Sequence, residues 1–253
     1  MVLGRINIIL ELALKDIRLR YNNLSFGYLW MMLNPILILI TLYIVFSFVI
    51  KLDFPHYQMF LILGIIVWNF FSEATSNSIR SLVASMDLLK KIKIYPYEII
   101  LASNLSSTII FIANLSVLLV MMLIFNINLF TYIRLMSFFY FGLLFLIIIG
   151  VSLFITTIYI HFKDIIHIWN FVIFIGFWVS PIIYPETIIP EQFLRFYMLN
   201  PLARIISHLR NTVIYNYIDS SVQIIITVII IFLIFFTGLL TYKKYSKKIY
   251  DYI

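Results

Sequence analysis

The side chains best suited to acid–base, nucleophilic or metal chemistry are dispersed along this chain. Its four histidines are scattered over different segments, as His56, His161, His167 and His208. Metal ligands normally cluster, and no HExxH pair is present. The absence of cysteine excludes disulfides, thiolate metal sites and cysteine nucleophiles. Phosphate-binding, dinucleotide-binding and hydrolase motifs are also missing. The sequence therefore predicts no catalytic residue, no metal ligand and no cofactor site in this chain.

One long segment has a composition typical of a transport pathway. From Trp178 to Asn211 the chain remains strongly apolar, yet it contains Pro181, Pro185, Pro190 and Pro201. Each proline removes a backbone donor and clashes with the preceding turn, so a plain spanning helix is excluded. Non-helical backbone at membrane depth survives only where protein buries it or where it lines a wet cavity. Asn200 before Pro201 fits an N-cap followed by proline at the first helical position, which predicts a helix start.

The overall composition indicates the class of protein to which this segment belongs. Hydrophobic residues make up 63% of the 253 residues and charged residues 11%, against roughly half and a quarter in soluble domains. The chain is therefore predicted to be one all-α integral membrane domain over residues 1–253. The net charge of +7 comes from basic residues beside apolar stretches, which favours a membrane surface over nucleic acid.

Six apolar stretches with at most one charged residue each are long enough to cross a bilayer, for which about 20 residues are needed. They lie near residues 29–50, 57–76, 99–124, 135–160, 164–185 and 220–242. Of the 18 lysines and arginines, thirteen fall on the side that holds both termini and five on the other. The positive-inside rule then puts both termini in the cytoplasm and the proline-rich segment outside. Glu73 and Glu98 lie near span ends, so proton- or sodium-coupled transport is disfavoured.

Two further segments are predicted to lie along the cytoplasmic face. Residues 1–21 space their apolar residues three or four apart, which predicts an amphipathic helix in the membrane interface. Residues 77–98 contain a short amphipathic stretch that ends at Tyr95-Pro96. This stretch has two equally weighted interpretations: a basic loop that obeys the positive-inside rule, or a coupling helix that docks onto a cytoplasmic motor subunit.

Aromatic residues make up 18% of the chain, and many suit interfacial belts. In the fifth predicted span, Asn170, Phe174, Phe177 and Pro181 share one helical face, and Trp178 lies nearby. Flat aromatic faces can slide against sugar C–H surfaces, so this face would suit a moving polymer. Packing against neighbouring spans explains any one of these rings at least as well.

Several motifs together resemble the permease subunit of type-2 ABC exporters of polysaccharides, the group that handles O-antigen, capsule and teichoic acid. The motifs are LKDIRLRYNNLSFGYLWMMLNP (14–35), LGIIVWNFF (63–71), LLKKIKIYP (88–96), HFKDI (161–165), SPIIYP (180–185) and LNPL (199–202), followed by Arg210. Their order covers nearly the whole chain. Two features depart from the family pattern: Lys163 replaces an arginine, and Tyr95-Pro96-Tyr97 replaces a Phe-Pro-Arg-like turn.

The resemblance implies a multi-pass permease of the cell (inner) membrane that works as a homodimer around a channel. It would bind two copies of a separate cytoplasmic subunit, which would carry ATP and Mg, and it would pass a lipid-linked polysaccharide outward. Residues 1–21 would be an interface helix, residues 81–94 a coupling helix and residues 186–215 re-entrant outer gate helices. The implied interface residues are Lys15, Arg18 and Arg20, and the implied coupling residues are Asp87, Leu88, Leu89, Lys90 and Lys91.

The channel-lining candidates are Trp30, Tyr43, Phe46, Asn170, Phe174, Phe177 and Trp178. The outer-gate candidates are Pro181, Tyr184, Pro185, Pro190, Asn200, Pro201 and Arg210. An alternative within the same class is a type-2 permease for a drug or a lipid. A membrane-embedded transferase would need convergent acid–base residues, which the sequence lacks, and a purely structural membrane protein would not need the proline-broken segment.

Overall fold

A computed structural model describes residues 2–22, 24–52, 54–86, 89, 94–128 and 131–249, and within these ranges the chain is helical with no β-strand. The described residues form nine α-helices: α1 Val2–Tyr21, α2 Trp30–Tyr43, α3 Tyr57–Ala84, α4 Pro96–Ile124, α5 Tyr132–His161, α6 Ile165–Val179, α7 Glu191–Tyr197, α8 Pro201–Val213 and α9 Ser221–Ile249. A short 3-10 turn, Gly27–Leu29, precedes α2, and a π-helical stretch, Ile44–Val49, continues it. The predicted all-helical fold is confirmed for this part of the chain.

Five helical segments of the described chain are long and apolar enough to cross a membrane. They are Gly27–Val49, Tyr57–Ala84, Pro96–Ile124, Tyr132–His161 and Ser221–Tyr245. The remaining predicted span, 164–185, contains α6, which has 15 residues. At 1.5 Å per residue this helix is about 22 Å long, less than the ~30 Å of a bilayer core. The rest of that predicted span is a turn that begins at Ser180.

The second predicted span is longer than expected, because α3 continues through Ala84 rather than ending near residue 76. Polar residues do not stop it: Thr75 and Ser78 donate their hydroxyls to the carbonyls of Phe71 and Ala74, one turn back. Residues 81–84 therefore belong to α3, so the predicted coupling segment 81–94 starts inside this helix. Asp87, Leu88, Lys90 and Lys91 lie outside the described residues.

The central helix of the fold is α3, which packs against α2, α4, α5, α6 and α8. Its first three turns are almost continuously buried, from Tyr57 through Trp68. A helix that is apolar on all sides suits such a central position. The helices around it, in contrast, keep one apolar face uncovered, as the exposed Phe48, Phe138 and Leu240 illustrate.

Helices α5 and α9 cross at a pair of glycines. A Cβ added to Gly238 would lie 2.1 Å from the carbonyl oxygen of Gly150, and a Cβ on Gly150 would lie 2.6 Å from Cα of Phe235. Neither contact leaves room for a side chain, so the two backbones meet directly. Small residues permit this close approach between membrane helices.

The two ends of the described chain lie on the same face of the helix bundle. The Tyr97 amide, at the start of α4, donates to the Tyr242 hydroxyl near the end of α9 (3.1 Å). Arg5 of α1 donates to the Tyr97 hydroxyl (2.7 Å). At the opposite face, Arg134 near the start of α5 donates to the Val213 carbonyl at the end of α8 (2.9 Å). Helix α8 therefore lies at the face opposite the termini.

Candidate functional site: the turn after α6 and the contacts of α1

Helix α6 runs antiparallel to α3, and this packing divides the predicted aromatic face. The Trp169 indole donates to the Thr75 hydroxyl (3.1 Å), and Phe177 packs edge-on against Trp68, with 6.2 Å between ring centroids. Asn170, Phe174 and Trp178 remain exposed. Phe177 and Pro181, the other members of the face, are turned toward the protein, since Phe177 is half-buried and Pro181 is buried. The structure therefore leaves an uncovered strip of one polar and two aromatic side chains along α6.

The candidates of the first span lie on another side of α3. Trp30, Tyr43 and Phe46 are half-buried. Tyr43 packs against Tyr57 with 6.0 Å between centroids, and Trp30 packs edge-on against Phe26 at 5.7 Å. Helices α2 and α6 both pack against α3. Within one copy these two groups of candidates thus border the same central helix rather than one enclosed channel.

After α6 the chain turns back at Pro181, Ile182 and Ile183, and Arg210 holds this turn. The Arg210 guanidinium donates to the carbonyl oxygens of Phe60 (2.9 Å), Ile182 (2.9 Å) and Pro181. Its Cζ atom also lies 3.2 Å from the centroid of the Phe60 ring. The turn, formed where Pro181 cannot continue the helix, would otherwise leave buried carbonyls without donors. A single side chain therefore attaches α8 to α3 and to the turn.

The attachment also depends on Gly64, one helical turn below Phe60 on α3. A Cβ at Gly64 would lie 2.8 Å from Nη2 of Arg210 and 3.3 Å from Cα of Ile182. The bare backbone of α3 is what lets the guanidinium and the turn approach so closely. Gly64 belongs to the LGIIVWNFF motif, but the sequence gives no sign that its neighbour is an arginine 146 positions later.

The electrostatics of the turn follow from burial. Arg210 is 3% exposed, and burial lowers its pKa to about 9, so the guanidinium stays charged at neutral pH. Burial also raises the pKa of the Glu186 carboxyl, and the Arg210 charge partly opposes this shift. The partners of Arg210 are carbonyls, and in the described chain it forms no ion pair. Charge-assisted hydrogen bonds of this kind are roughly twice as strong as neutral ones.

The predicted helix starts in the outer segment are present. Asn200 caps α8 by accepting from the amides of Leu202 (3.0 Å) and Ala203 (3.4 Å), with Pro201 at the first helical position. Its side-chain amide also donates to the Ser180 hydroxyl (3.0 Å), which connects the cap to the turn. Pro190 directly precedes α7 and occupies its N-cap position without a side-chain cap hydrogen bond. Tyr184 donates back to the Trp178 carbonyl (2.9 Å), and Pro185 precedes the 3-10 turn Glu186–Ile188.

A polar network that the sequence did not reveal fastens α8 to its neighbours. His208 Nδ1 lies 2.6 Å from an Asp219 oxygen and Nε2 lies 2.9 Å from the Thr227 hydroxyl. The imidazole stacks on Tyr140 of α5 at 5.0 Å. Thr, His and Asp in this order resemble a nucleophilic triad. Because Thr227 is 0% and His208 4% exposed, no substrate can reach the hydroxyl, and the network has a structural role.

At the opposite face, two arginines attach α1 to two glutamates, one on α3 and one on α4. Arg20 pairs with Glu73 of α3 (2.7 Å) and with Asp16 of its own helix. Arg5 pairs with Glu98 of α4 (3.4 Å), whose side chain is 1% exposed, and also lies over the Tyr95 ring at 4.5 Å. Arg5 thus supplies a cation beside the Tyr95-Pro96-Tyr97 turn, where the sequence lacks the family arginine.

The faces of α1 differ in their surroundings. Ala13 and Ile17 are buried, whereas the predicted apolar positions Ile6, Leu10 and Leu14 remain exposed. Lys15 and Arg18 are also exposed. Of the coupling candidates, only Leu89 lies within the described residues, and it is buried together with Leu82, Ile94 and Ile99. Its side chain therefore stabilises the segment from inside rather than facing outward.

Comparison with known proteins identifies the family to which this chain belongs. The sequence profile described as "ABC-2 type transporter" matches residues 9–214. The chain is 29% identical over 199 residues to an O-antigen export system permease protein of Klebsiella pneumoniae, covering 76% of this chain and 74% of that protein. It is 26% identical over 241 residues to a polysialic acid transport protein of Escherichia coli, covering 92% and 91%. A permease of Myxococcus xanthus named for O-antigen export is 22% identical over 209 residues, covering 79% and 77%.

Proposed function

Because this chain belongs to the ABC-2 type transporter membrane family, we propose that it is the permease subunit of an ATP-driven exporter that moves a lipid-linked polysaccharide out of the cytoplasm. Relatives named for O-antigen export and for polysialic acid transport extend over most of its length, which supports this substrate class. The permease itself is not an enzyme in this proposal. ATP and Mg bind to two copies of a separate cytoplasmic subunit.

The proposed topology has six crossings with both termini in the cytoplasm. Helix α5 ends beside the end of α9, where the rings of His161 and Tyr245 lie 5.3 Å apart. Helix α9 begins at the opposite face, where Thr227 contacts His208. We therefore infer that the segment between α5 and α9 carries the chain across the membrane, through α6 and the turn after it. Helices α7 and α8 then re-enter the outer side of the bundle as gate helices.

The proposed channel forms between two copies of the chain. The strip of Asn170, Phe174 and Trp178 is uncovered in one copy, and so are large parts of α2. In a closed homodimer with twofold symmetry, the same surface of each copy forms the interface. These uncovered surfaces of the two copies would then face each other. Aromatic rings then line a path that leads to the turn held by Arg210. This uncovered strip next to a fixed outer turn is the observation that carries the proposal.

Substitution of Phe174 tests this path. Phe174→Ala, expressed with the partner ATPase in cells that lack their own permease, should reduce surface polysaccharide by about threefold. This expects the lost ring–sugar contact to be similar in size to a contact between two aromatic rings, about 0.5–1.5 kcal/mol. Surface polymer is measured with a sugar-specific antibody at matched permease levels.

The control is Phe138→Ala on α5. Phe138 is 71% exposed and Phe174 64% exposed, but Phe138 belongs to α5 and not to the α6 strip. Equal export by the two variants would refute the lining role of α6. Export of a drug or a free lipid, with no polysaccharide at the surface of cells with the native chain, would favour the alternative substrate class instead.

A further inference from the structure

A cavity outside the proposed path lies at the face that holds the termini. It has a volume of about 430 Å³ and lies between α1, the last turns of α3 and the first turns of α4. Polar side chains from all three helices line it: Lys15, Arg20, Asn77, Arg80, Ser81 and Ser103. Three cations against one anion, Asp16, give this cavity a positive charge. It therefore suits an anionic ligand.

Two of the three cationic side chains form no ion pair within the described part of the chain. Arg20 is held by Asp16 and Glu73. Lys15 and Arg80 are exposed, and neither forms an ion pair with any residue that the structure describes. An arginine and a lysine beside hydroxyl and amide donors are the groups that bind phosphate in proteins.

A buried hydroxyl gives a second and independent indication of a ligand. Ser103 lines the cavity from α4, its side chain is 2% exposed, and its Oγ atom has no hydrogen-bond partner in the structure. Buried hydroxyls are almost always hydrogen-bonded, so one without a partner calls for an explanation. A small rotation of this side chain toward the cavity would let a ligand oxygen accept its hydrogen bond.

The rim of the cavity is apolar. Leu12 and Leu19 of α1 and Ile99 of α4 border it, and Leu19 is 72% exposed. The exposed Ile6, Leu10 and Leu14 continue along α1. A ligand that satisfies both regions has an anionic head and hydrocarbon tails.

We propose that this cavity binds the phosphate head of an anionic membrane lipid, with Lys15, Arg80 and Ser103 as its contacts. The lipid would fill the space between α1 and the α3–α4 pair and would so stabilise the position of the interface helix. The inference goes beyond the proposed function and does not depend on which polymer is exported. A phospholipid and an isoprenoid carrier share the phosphate chemistry, and the test distinguishes them.

The test uses the full-length chain with its co-purified ATPase. Native mass spectrometry measures binding of phosphatidylglycerol, an isoprenoid diphosphate and phosphatidylcholine to the native complex and to a Lys15→Gln/Arg80→Gln variant. The variant should bind anionic lipid about tenfold more weakly, because each basic residue near an anionic headgroup contributes measurably to binding. Preference for phosphatidylglycerol or for the diphosphate identifies the source of the phosphate.

The matched control is Lys163→Gln/Lys244→Gln, which removes two exposed cations that do not line the cavity. Ser103→Ala, which removes only the hydroxyl, should reduce affinity by about threefold without lowering the melting temperature. Equal binding by the cavity variant and its control would overturn the proposal. Displacement of bound lipid by equimolar inorganic pyrophosphate would also overturn it, because the site would then take free phosphate. Lipid binding is measured without export, so failure here is separate from failure of the proposed function.

Discussion

Arg210 is the residue on which the outer segment depends most directly. It bonds to Phe60 across 150 positions of sequence and to Ile182 across 28. Its partners are backbone carbonyls, so no complementary charge in the sequence marks the contact. The resemblance singled out Arg210 through its place after the LNPL motif, but only the folded chain reveals what it holds.

Substitution of Arg210 should destabilise the protein and abolish export. Arg210→Met removes the donors of two buried turn carbonyls and should lower the free energy of unfolding by about 3 kcal/mol. Arg210→Lys should recover only part of the loss, because an ammonium lacks the planar fork that reaches several acceptors. Thermal unfolding in detergent measures both, and Arg195→Met on the exposed side of α7 is the control. A melting temperature for Arg210→Met equal to that of the control would contradict the anchoring role.

At the scale of helices, the α5–α9 crossing has the least tolerance for added volume. Gly238→Ala would place a methyl group 2.1 Å from the Gly150 carbonyl oxygen, so the helices must separate. We expect the free energy of unfolding to fall by about 2 kcal/mol. Gly142→Ala on the same α5 is the matched control, since a Cβ there meets nothing within 4 Å. Equal melting temperatures for the two variants would show that the crossing adjusts without cost.

The attachment of α1 gives a second prediction at this scale. Arg20→Glu should detach α1 from α3, because it opposes Glu73 and Asp16 with a third carboxylate. Hydrogen exchange in α1 should become faster. Combining it with Glu73→Arg should restore much of the protection, and Arg18→Glu, at an exposed position of the same helix, should have little effect. A double variant that exchanges as fast as Arg20→Glu alone would exclude a direct Arg20–Glu73 pair as the cause.

Local sequence patterns correctly predicted that most of these segments are helical and where several helices begin, because caps and apolar periodicity depend on residues only a few positions apart. Asn200-Pro201 predicted the start of α8 correctly. The end of α3 was wrong by two turns, because the hydroxyls of Thr75 and Ser78 bond within the helix and its polar end packs against other helices. The α1 ion pairs and the His208 network could not be predicted, since their partners come from distant segments.

At the scale of the whole molecule, the exposed strip on α6 predicts contact between two copies. The chain has no native cysteine, so Trp178→Cys introduces a single reactive thiol. A short bismaleimide should link two copies and block export, because the outer mouth would be held in one geometry. Phe138→Cys, on the outer face of α5, is the control. Failure of the Trp178 thiol to cross-link would exclude a dimer in which the two α6 helices face each other.

A second prediction at this scale concerns the motor subunit. If the resemblance of residues 88–96 reflects docking, Leu88→Glu should weaken co-purification with an ATPase. Leu89→Ala is the informative comparison, because Leu89 is buried within the segment. This variant should lower the melting temperature of the permease more than it weakens co-purification with the ATPase. A fully active permease isolated without any ATPase would contradict the exporter assignment.

The short length of α6 has a consequence for the membrane around it. Its 15 residues give an apolar height of about 22 Å, roughly 8 Å less than an ordinary hydrocarbon layer. Lipid beside a short helix thins to match it, at a modest elastic cost. If α6 crosses the membrane as proposed, the low-dielectric barrier along it is narrower than elsewhere, and a polysaccharide would lose its hydration shell over fewer sugar units at a time.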